Sequence, residues 1–218
     1  MKIDVLELGM LDTNCYIIWD EKTLDAIVID PGSTERRLVE FIIAGNFRVT
    51  HIIITHGHFD HVGGVKRLKE DLCKLGMNPL ITMSKLEKDY MESNAAPKYH
   101  KRFFDLDLDI RDDEELDFGL IKFKAILLPG HTSYSMCLYA EEHNLIIVGD
   151  TLFYHSIGTE YYYDGPKTDL SQNIIKKLFV LPKETLVYPG HKQTTTIGEE
   201  IVNNPYLSDA DTVDPWTI

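Results

Sequence analysis

The sequence predicts an α/β protein built from two similar halves. Short segments rich in Val, Ile and Tyr are separated by turn residues, which is typical of strands. Segments with apolar residues at helical spacing follow them. Because strands followed by a helix recur in both halves, the order indicates a pseudo-twofold α/β sandwich. No linker or low-complexity tract interrupts the chain, so we expect a single domain over residues 1–218.

The first half is expected to open with three strands and to continue with alternating helices and strands. Strands are predicted near 2–8, 13–19, 25–30, 48–54 and 79–83. Helices are predicted from a cap at Ser33 to Gly45, over 62–75 and over 84–92.

The middle of the chain is expected to lack regular structure, and a second sheet follows it. Residues 95–102 are interpreted as a loop and the acidic segment 105–117 as a solvated edge. The second half is predicted to contain strands over 120–128, 135–140, 144–149 and 185–188, and an amphipathic helix over 169–181.

Charge and composition limit the partners and the compartment. The formal net charge is -13, from 22 basic and 35 acidic residues, so we expect no general binding to nucleic acid or anionic membranes. We expect neither a signal peptide nor a membrane span, since acidic residues occur early and no long apolar run exists. Cys15, Cys73 and Cys137 form no CxxC pair and have apolar neighbours. This favours reduced, packed thiols and a cytoplasmic location.

The segment Thr55 to His61 concentrates metal-binding side chains directly after an apolar strand. His56, His58, Asp60 and His61 occupy four of its seven positions. Alternate residues share a face on a strand, so His61 must face elsewhere unless the chain bends. A bend would let the cluster serve two neighbouring ions. Imidazole and carboxylate together suit zinc or a similar metal, whereas a polar turn with satisfied histidines is the simpler alternative.

Other strand ends add further candidate ligands. His131 follows one predicted strand, Asp150 follows another, and His191 ends the last. Together with the cluster, five histidines and two aspartates are delivered by four separate strand ends. Function is therefore expected to concentrate at one edge of the sheets.

These residues and the motifs around them resemble one known family closely. The order HxHxDH, GHT, GDT and PGH is similar to the metallo-β-lactamase fold superfamily, and within it to the glyoxalase II-like (hydroxyacylglutathione hydrolase-like) metallohydrolases. Further matching motifs are TNCY at 13–16, IDPG at 29–32, GDTLF at 149–153, SIG at 156–158 and NPYL at 204–207. The resemblance implies a four-layer αββα sandwich with metals in a cleft at one edge of two sheets.

The resemblance also implies which side chains bind each metal. The first ion would be bound by His56, His58 and His131, the second by Asp60, His61 and His191, and Asp150 would bridge them. Asp30 would support the metal loop by hydrogen bonding. Two divalent metal ions are expected, zinc first and iron or manganese as alternatives.

The implied chemistry is hydrolysis of a small thioester or ester. A metal-bridging hydroxide would attack an acyl carbonyl polarised by the first ion, with Asp60 and Asp150 as the catalytic carboxylates that hold the ions. A thiolate leaving group requires little proton assistance because thiols are acidic. No serine or cysteine nucleophile is needed.

Several relatives of this pattern provide alternative functions. Lactonases share the full ligand set, and mononuclear iron persulfide dioxygenases use two histidines and an aspartate. A β-lactamase is disfavoured, since those branches generally lack the bridging aspartate, and His58 disfavours the flavodiiron branch. A metal-dependent scaffold without activity is a further alternative, against which the intact Asp60 and Asp150 argue.

The sequence departs from the family pattern at positions where substrate contacts are expected. Tyr134, Tyr154 and Tyr161 stand near the motifs and are candidate substrate contacts, with simple packing as the alternative. The sequence stops at Ile218, without the C-terminal helical domain by which longer glyoxalase II enzymes bind glutathione, so glutathione recognition stays open. The basic segment 98–102 is interpreted as a solvated loop, with contact to a substrate carboxylate as the alternative. A lid role for 95–104 and the oligomeric state, a homo-oligomer included, also stay open.

Overall fold

Two six-stranded sheets lie face to face in the structure, a computed structural model that describes residues 1–159 and 169–207. The first sheet has the spatial order β1 (Lys2–Leu8), β2 (Thr13–Trp19), β3 (Asp25–Ile29), β4 (Arg48–Ile53), β5 (Leu80–Met83) and β6 (Leu108–Asp109). Its first three strands pair antiparallel, whereas β3 to β6 pair parallel. Its helices are α1 (Arg36–Ala44), α2 (Phe59–Val62), α3 (Val65–Lys74) and α4 (Lys85–Glu92).

The second half supplies the second sheet and a small hairpin. In chain order its elements are β7 (Glu115–Asp117), β8 (Lys122–Leu127), β9 (Met136–Ala140), a 3-10 turn (Glu141–His143), β10 (Leu145–Gly149), β11 (Leu152–Phe153), β12 (Ser156–Ile157), α5 (Leu170–Lys177), β13 (Leu186–Pro189), β14 (Thr195–Thr196) and α6 (Ile197–Asn203). The sheet order is β14, β13, β10, β9, β8, β7, while β11 and β12 pair only with each other.

Alternating residues along β2 separate the two faces of the first sheet. Ile17 is buried with Leu38 of α1 and Leu72 of α3 on the outer face. Its neighbour Ile18 points to the other side and is buried with Leu138 of the second sheet. The apolar alternation therefore produces one core under the helices and another between the sheets.

The outer face of the second sheet is covered in the same way. Ile146 of β10 is buried with Leu170 and Ile174 of α5, and Ile197 of α6 belongs to the same cluster. The layers are thus helix, sheet, sheet and helix. The four-layer αββα sandwich implied by the family resemblance is confirmed.

The predicted helix over 62–75 was placed wrongly at its beginning. A separate short helix, α2, precedes it, and α3 begins only at Val65. Gly63 separates them and packs so tightly that an added Cβ would lie 2.4 Å from the carbonyl oxygen of Gly32. The break places Asp60 and His61 on a turn of their own.

Other differences concern helix ends and edge strands. Ser33 does not cap α1, since Glu35 occupies that position without a side-chain cap. The helix predicted over 169–181 ends at Lys177. The acidic segment contains β6 and β7, which form one edge of each sheet. The short elements β11, β12, β14 and α6 carry too few residues to show a period, and they were not predicted.

Two structural findings concern the cysteines and the possibility of a membrane span. Cys15 and Cys137 are buried, but Cys73 is exposed, so the prediction that it is packed is wrong. It lies on the outward side of α3, whereas its sequence neighbour Leu72 is buried. Across the described ranges 1–159 and 169–207, the helices are too short or too polar to cross a bilayer.

The carboxyl ends of parallel strands meet at one edge of the sandwich. In the first sheet β3 and β4 are parallel neighbours, and in the second sheet β10 and β13 are. Two backbone hydrogen bonds join the sheets there: Met136 N donates to Thr55 O at 3.0 Å, and Asn14 N donates to Gly190 O at 2.8 Å. The segments that follow these strands are therefore fixed beside one another.

Candidate metal centre

His56, His58 and His131, here called the first set, come together at this edge. One ring nitrogen of each lies within 4.8 Å of the others. Nδ1 of His58 is 2.8 Å from Nε2 of His131, although 73 residues separate them in the sequence. All three side chains are buried.

Asp60, His61 and His191, here called the second set, lie next to the first. One ligand atom of each again lies within 4.8 Å of the others. Oδ2 of Asp60 is 3.2 Å from Nε2 of His191 and 3.6 Å from Nε2 of His61. Because His61 lies on α2, its ring is turned away from the strand direction of His56 and reaches this second position.

Asp150 lies between the two sets at the end of β10. Its carboxylate is 3.6 Å from Nε2 of His131 in the first set. It is also 3.3 Å from Nε2 of His61 and 3.4 Å from Nε2 of His191 in the second set. A carboxylate in this position can contact ions bound by both sets.

Gly190 permits the close approach of these groups. A Cβ added there would lie 2.1 Å from Oδ1 of Asp150 and 2.7 Å from Cε1 of His61. Any other residue at position 190 would push the carboxylate and the imidazole apart. This explains why glycine precedes His191 in the PGH motif.

Asp30 orients the loop rather than offering a free ligand atom. It has a left-handed φ of 52°. Its carboxylate accepts hydrogen bonds from the backbone N–H of Thr55 at 2.8 Å and from its hydroxyl at 2.7 Å. Its Oδ2 also lies 2.9 Å from Nδ1 of His61. Although Asp30 lies close enough to His56 and His61 to form a third metal-like group, these bonds occupy its oxygens.

Backbone carbonyls orient two more histidines. Nδ1 of His131 lies 3.1 Å from the carbonyl oxygen of Thr159, and Nδ1 of His191 lies 3.0 Å from that of Leu11. A carbonyl can only accept, so Nδ1 carries a proton in each ring, and Nε2 is the nitrogen that faces the candidate metal position.

The residues present fit divalent metal ions. Nε2 of His56, Nε2 of His61 and Oδ1 of Asp150 are buried without a hydrogen-bond partner among the described residues. Buried polar atoms are normally satisfied. Imidazole nitrogens and carboxylate oxygens that converge in this way suit zinc, iron or manganese. The cluster is therefore a metal-binding arrangement.

The first set is electrically neutral near pH 7. Burial, followed by the neighbouring His61, lowers the pKa of His56 well below its usual value. Burial, followed by His131, lowers the pKa of His58 to about 2. Burial also lowers the pKa of His131 itself. Neutral imidazole is the form that binds metals.

Neighbouring carboxylates raise the pKa values of the two histidines in the second set. Burial lowers the pKa of His191, but hydrogen bonds with Asp150 and Asp60 outweigh it and raise that pKa to about 9. Burial likewise opposes a charge on His61, yet Asp150 and Asp30 raise its pKa well above the usual value. A metal ion that enters this set must therefore displace protons.

A cleft of about 360 Å³ opens onto both sets and is called the metal cleft below. Besides the candidate ligands, it is lined by Leu11, Phe59, Tyr99, His100, Phe153, Ser156, Ile157, Thr159 and Lys192. Most of these side chains are apolar or neutral. The cleft is thus shaped for a small molecule whose body is largely apolar.

His100 is one residue that the sequence interpretation missed, since no motif marks it. Its ring stacks on His58, with centroids 4.3 Å apart, and its Nδ1 accepts the backbone N–H of Phe59 at 3.1 Å. Tyr99 beside it also lines the cleft. Arg102, in contrast, turns back to the carbonyl oxygens of Tyr99 and Lys101. The aromatic part of the basic segment reaches the site, while its cations lie outside the lining.

Glu87 is the second residue that was missed. Its carboxylate is buried and accepts the backbone N–H of Gly57 at 2.8 Å, the hydroxyl of Thr132 at 3.1 Å and the backbone N–H of Tyr134 at 3.2 Å. It thereby joins the loops that carry His58 and His131. The S-x-x-E pattern from Ser84 marks a helix beginning. Nothing in it reveals that this glutamate bonds to another loop.

The candidate substrate tyrosines lie in different environments. Tyr154 is half-exposed and stacks on His155, with ring centroids 3.9 Å apart. Tyr134 is bound through its backbone to Glu87. Within the described part of the chain, neither lines the metal cleft, where Tyr99 is the tyrosine present. Tyr161 lies outside the described residues.

Comparison with known proteins agrees with this geometry. The sequence profile of the Metallo-beta-lactamase superfamily matches residues 8–191, which include all seven candidate ligands. The chain belongs to the metallo-β-lactamase superfamily. Among its relatives, the following two match it over nearly its full length. An uncharacterised protein of Aquifex aeolicus is 34% identical, over 96% of this chain and 98% of its own. The hydroxyacylglutathione hydrolase GloC of Haemophilus influenzae is 30% identical, over 95% and 99%.

Solved structures of the metallo-β-lactamase superfamily superpose well on this one. The BLEG-1 B3 metallo-beta-lactamase has a TM-score of 0.83 at 27% identity, with 95% of this chain and 100% of that chain covered. TTHA1623, solved in a di-iron-bound form, has a TM-score of 0.77 at 31% identity, with 94% and 100% covered. The superfamily fold and its metallohydrolase character are thus established, while the substrate varies among such relatives.

Proposed function

We propose that the protein is a binuclear metal-dependent hydrolase that cleaves a small thioester or ester. The observation that carries the proposal is the position of Asp150, whose carboxylate lies within 3.6 Å of ring nitrogens in both sets. A single shared carboxylate beside two adjoining sets suits a pair of ions rather than one. The relative named hydroxyacylglutathione hydrolase GloC supports thioester chemistry.

In this proposal each candidate metal ligand keeps the role that the family resemblance implies. The first set would hold one ion, the second set the other, and Asp150 would bridge them, with Asp30 fixing the ring of His61. Zinc is the proposed metal because imidazole and carboxylate ligands suit it. Iron remains the main alternative, since the similar protein TTHA1623 was solved in a di-iron-bound form.

The metals and the side chains would contribute differently. Bound ions supply a water of lowered pKa, near 7, and polarise an acyl carbonyl. Asp60 and Asp150 would help to hold the ions and would offset part of their charge. Thr159 and Leu11 orient His131 and His191 through their carbonyl oxygens. Phe59 and Phe153 line the cleft and reduce the access of bulk water to the reacting carbonyl.

The test combines metal content with a panel of substrates. Protein purified without added metal is analysed for zinc and iron, and the same sample is given a small hydroxyacyl thioester, its glutathione counterpart, a lactone and a β-lactam. We expect about two metal ions per chain and release of free thiol from a thioester. The β-lactam is included because BLEG-1 is named a metallo-beta-lactamase.

A different result would change the function. About one iron per chain, with oxygen uptake on a persulfide and no thiol release, would contradict the hydrolase and indicate a persulfide dioxygenase. Faster hydrolysis of the lactone than of every thioester would indicate a lactonase. Removal of metal by a chelator must abolish the activity, and added zinc must restore it.

A further inference from the structure

Lys192 lines the metal cleft directly after His191, and its backbone is strained. Its φ is 64°, in the left-handed region. There the Cβ approaches the following carbonyl oxygen, so glycine is favoured and other residues are strained. Strain retained at a cleft is a reason to look for a function of the side chain.

The backbone around Lys192 is held firmly by the first sheet. Nδ2 of Asn14 donates to the carbonyl oxygen of Lys192 at 2.8 Å and to that of Pro189 at 3.0 Å. The backbone N–H of Asn14 donates to the carbonyl oxygen of Gly190 at 2.8 Å. These bonds fix the segment that carries both His191 and Lys192, so the backbone of Lys192 has a defined place at the cleft.

Lys192 also brings to the cleft a cation that is not a candidate metal ligand. It is the only lysine or arginine that lines the metal cleft within the described part of the chain. The cations of the basic segment 98–102 lie outside that lining. Some lysines elsewhere pair with acids: Nζ of Lys124 lies 2.7 Å from Asp113, and Nζ of Lys88 lies 2.8 Å from Glu92. For Nζ of Lys192 no such pair occurs among the described residues, although the chain has 35 acidic residues.

We propose that the ammonium group of Lys192 binds a carboxylate of the substrate at the metal cleft. The preferred substrate is then an acyl thioester or ester that carries one carboxylate beside an apolar part, which contacts residues such as Phe59 and Phe153. This specificity rests on the proposed hydrolase function. Because Lys192 is exposed, the contribution of the ion pair is modest and is screened by salt.

The test measures binding, so that it does not depend on turnover. Two thioether analogues are compared in which a methylene replaces the thioester carbonyl: one bears a carboxylate, the other the isosteric carboxamide. Their dissociation constants are measured by calorimetry on the zinc-loaded wild type, Lys192→Gln, Lys192→Gly and Lys22→Gln. Lys22 is an exposed lysine in the turn at the opposite end of β2, so its variant matches the change in net charge.

We expect the wild type to prefer the carboxylate analogue. Lys192→Gln and Lys192→Gly should each reduce that preference about fivefold, while carboxamide binding and metal content stay unchanged. Glycine adopts the left-handed conformation without strain. A loss of carboxylate preference that both Lys192 variants share therefore cannot come from a distorted turn. Lys22→Gln should keep the full preference for the carboxylate analogue. Added NaCl should weaken this preference only in the proteins that retain Lys192.

Three results would overturn the role of Lys192. The first is that both Lys192 variants prefer the carboxylate analogue as strongly as the wild type does, and the second is that they bind both analogues equally more weakly. The third is that the wild type does not prefer the carboxylate analogue, which includes the case in which it binds neither analogue. Thiol release on the same samples separates the two proposals. A wild type that cleaves thioesters and keeps its preference in Lys192→Gln contradicts only the lysine. A lysine-dependent preference in a protein that cleaves neither a thioester nor an ester contradicts only the hydrolase.

Discussion

The two candidate metal sets are built alike but differ in charge. Each takes two side chains from the loop that spans residues 56–61 and one histidine from the second half of the chain. The first set consists of buried, neutral imidazoles, whereas the second contains a carboxylate and histidines that hold protons. The second set is also more open, since the side chain of His191 is 20% exposed.

This difference indicates that the two positions should not bind metal in the same way. A neutral imidazole needs no proton loss before it binds an ion, but a histidine with a raised pKa does. We therefore expect occupancy of the second set to respond to pH and to mutation separately from that of the first. Asp150 adjoins both sets, so its substitution should weaken the binding of both ions.

Asp150→Ala should have the largest effect, because it removes the contact common to both sets. We expect hydrolysis to fall about 1,000-fold and both metals to be retained more weakly, since metal ions contribute several kcal/mol to the reaction. Elemental analysis and a thiol-release assay measure this, and circular dichroism checks that the fold survives. Wild-type turnover and metal content in this variant would refute the bridging role.

His131→Ala and His191→Ala should separate the two sets. Each variant removes one proposed ligand, so we expect the affinity for the corresponding ion to fall by more than about 100-fold, beyond the effect of a hydrogen-bonding partner. Zinc titration of the metal-free proteins should then show that each retains one tight site. If both variants lose both ions together, the sets are not separate sites.

Glu87→Gln tests the support of the first set alone. The carboxylate accepts three hydrogen bonds from the loops around His58 and His131, and glutamine can accept at only one of its two positions. We expect the affinity of the first ion to fall about 10- to 100-fold, with the second ion little affected.

Glu200→Gln is the matched control for that variant. Glu200 is equally buried and accepts hydrogen bonds from Thr195, Asn204 and the backbone of His155, away from both sets. A loss of the first ion in Glu200→Gln as large as in Glu87→Gln would show that the effect is one of general stability.

The last prediction concerns the pH dependence of the second ion, whose effect is the smallest over a single pH unit. With the pKa of His191 raised to about 9, a proton must leave whenever metal binds below that pH. Because His61 in the same set also holds a proton, affinity at the second set should fall at least about tenfold for each pH unit between 8 and 6. The first set, whose histidine pKa values are lowered, should change little over this range. Zinc titrations at three pH values measure both steps, and equal shifts would contradict the charge difference.

Most of the fold could be predicted because its strands carry strong local signals. The segments at β1, β2 and β4 have apolar runs bounded by turn residues, and the structure begins and ends them within a residue or so of the prediction. The break between α2 and α3 could not be predicted. It depends on the packing of Gly63 against Gly32, a contact between distant segments that no local pattern records.

Some residues of the candidate site could likewise be predicted from the sequence, and others could not. His56 and His191 stand in motifs with characteristic spacing, so their importance could be read from the sequence. Glu87 and His100 act through hydrogen bonds and ring stacking with distant loops, and their surroundings in sequence are ordinary. Lys192 needed the backbone angle and the lining of the cleft before its role could be inferred.

The most direct test of the account is a crystal structure of the zinc-loaded protein with anomalous scattering measured at the zinc edge. We expect two zinc peaks roughly 3.5–4 Å apart, one at each set, with the Asp150 carboxylate in contact with both. A single peak at the first set, or two peaks of which Asp150 contacts only one, would contradict the shared, two-metal centre.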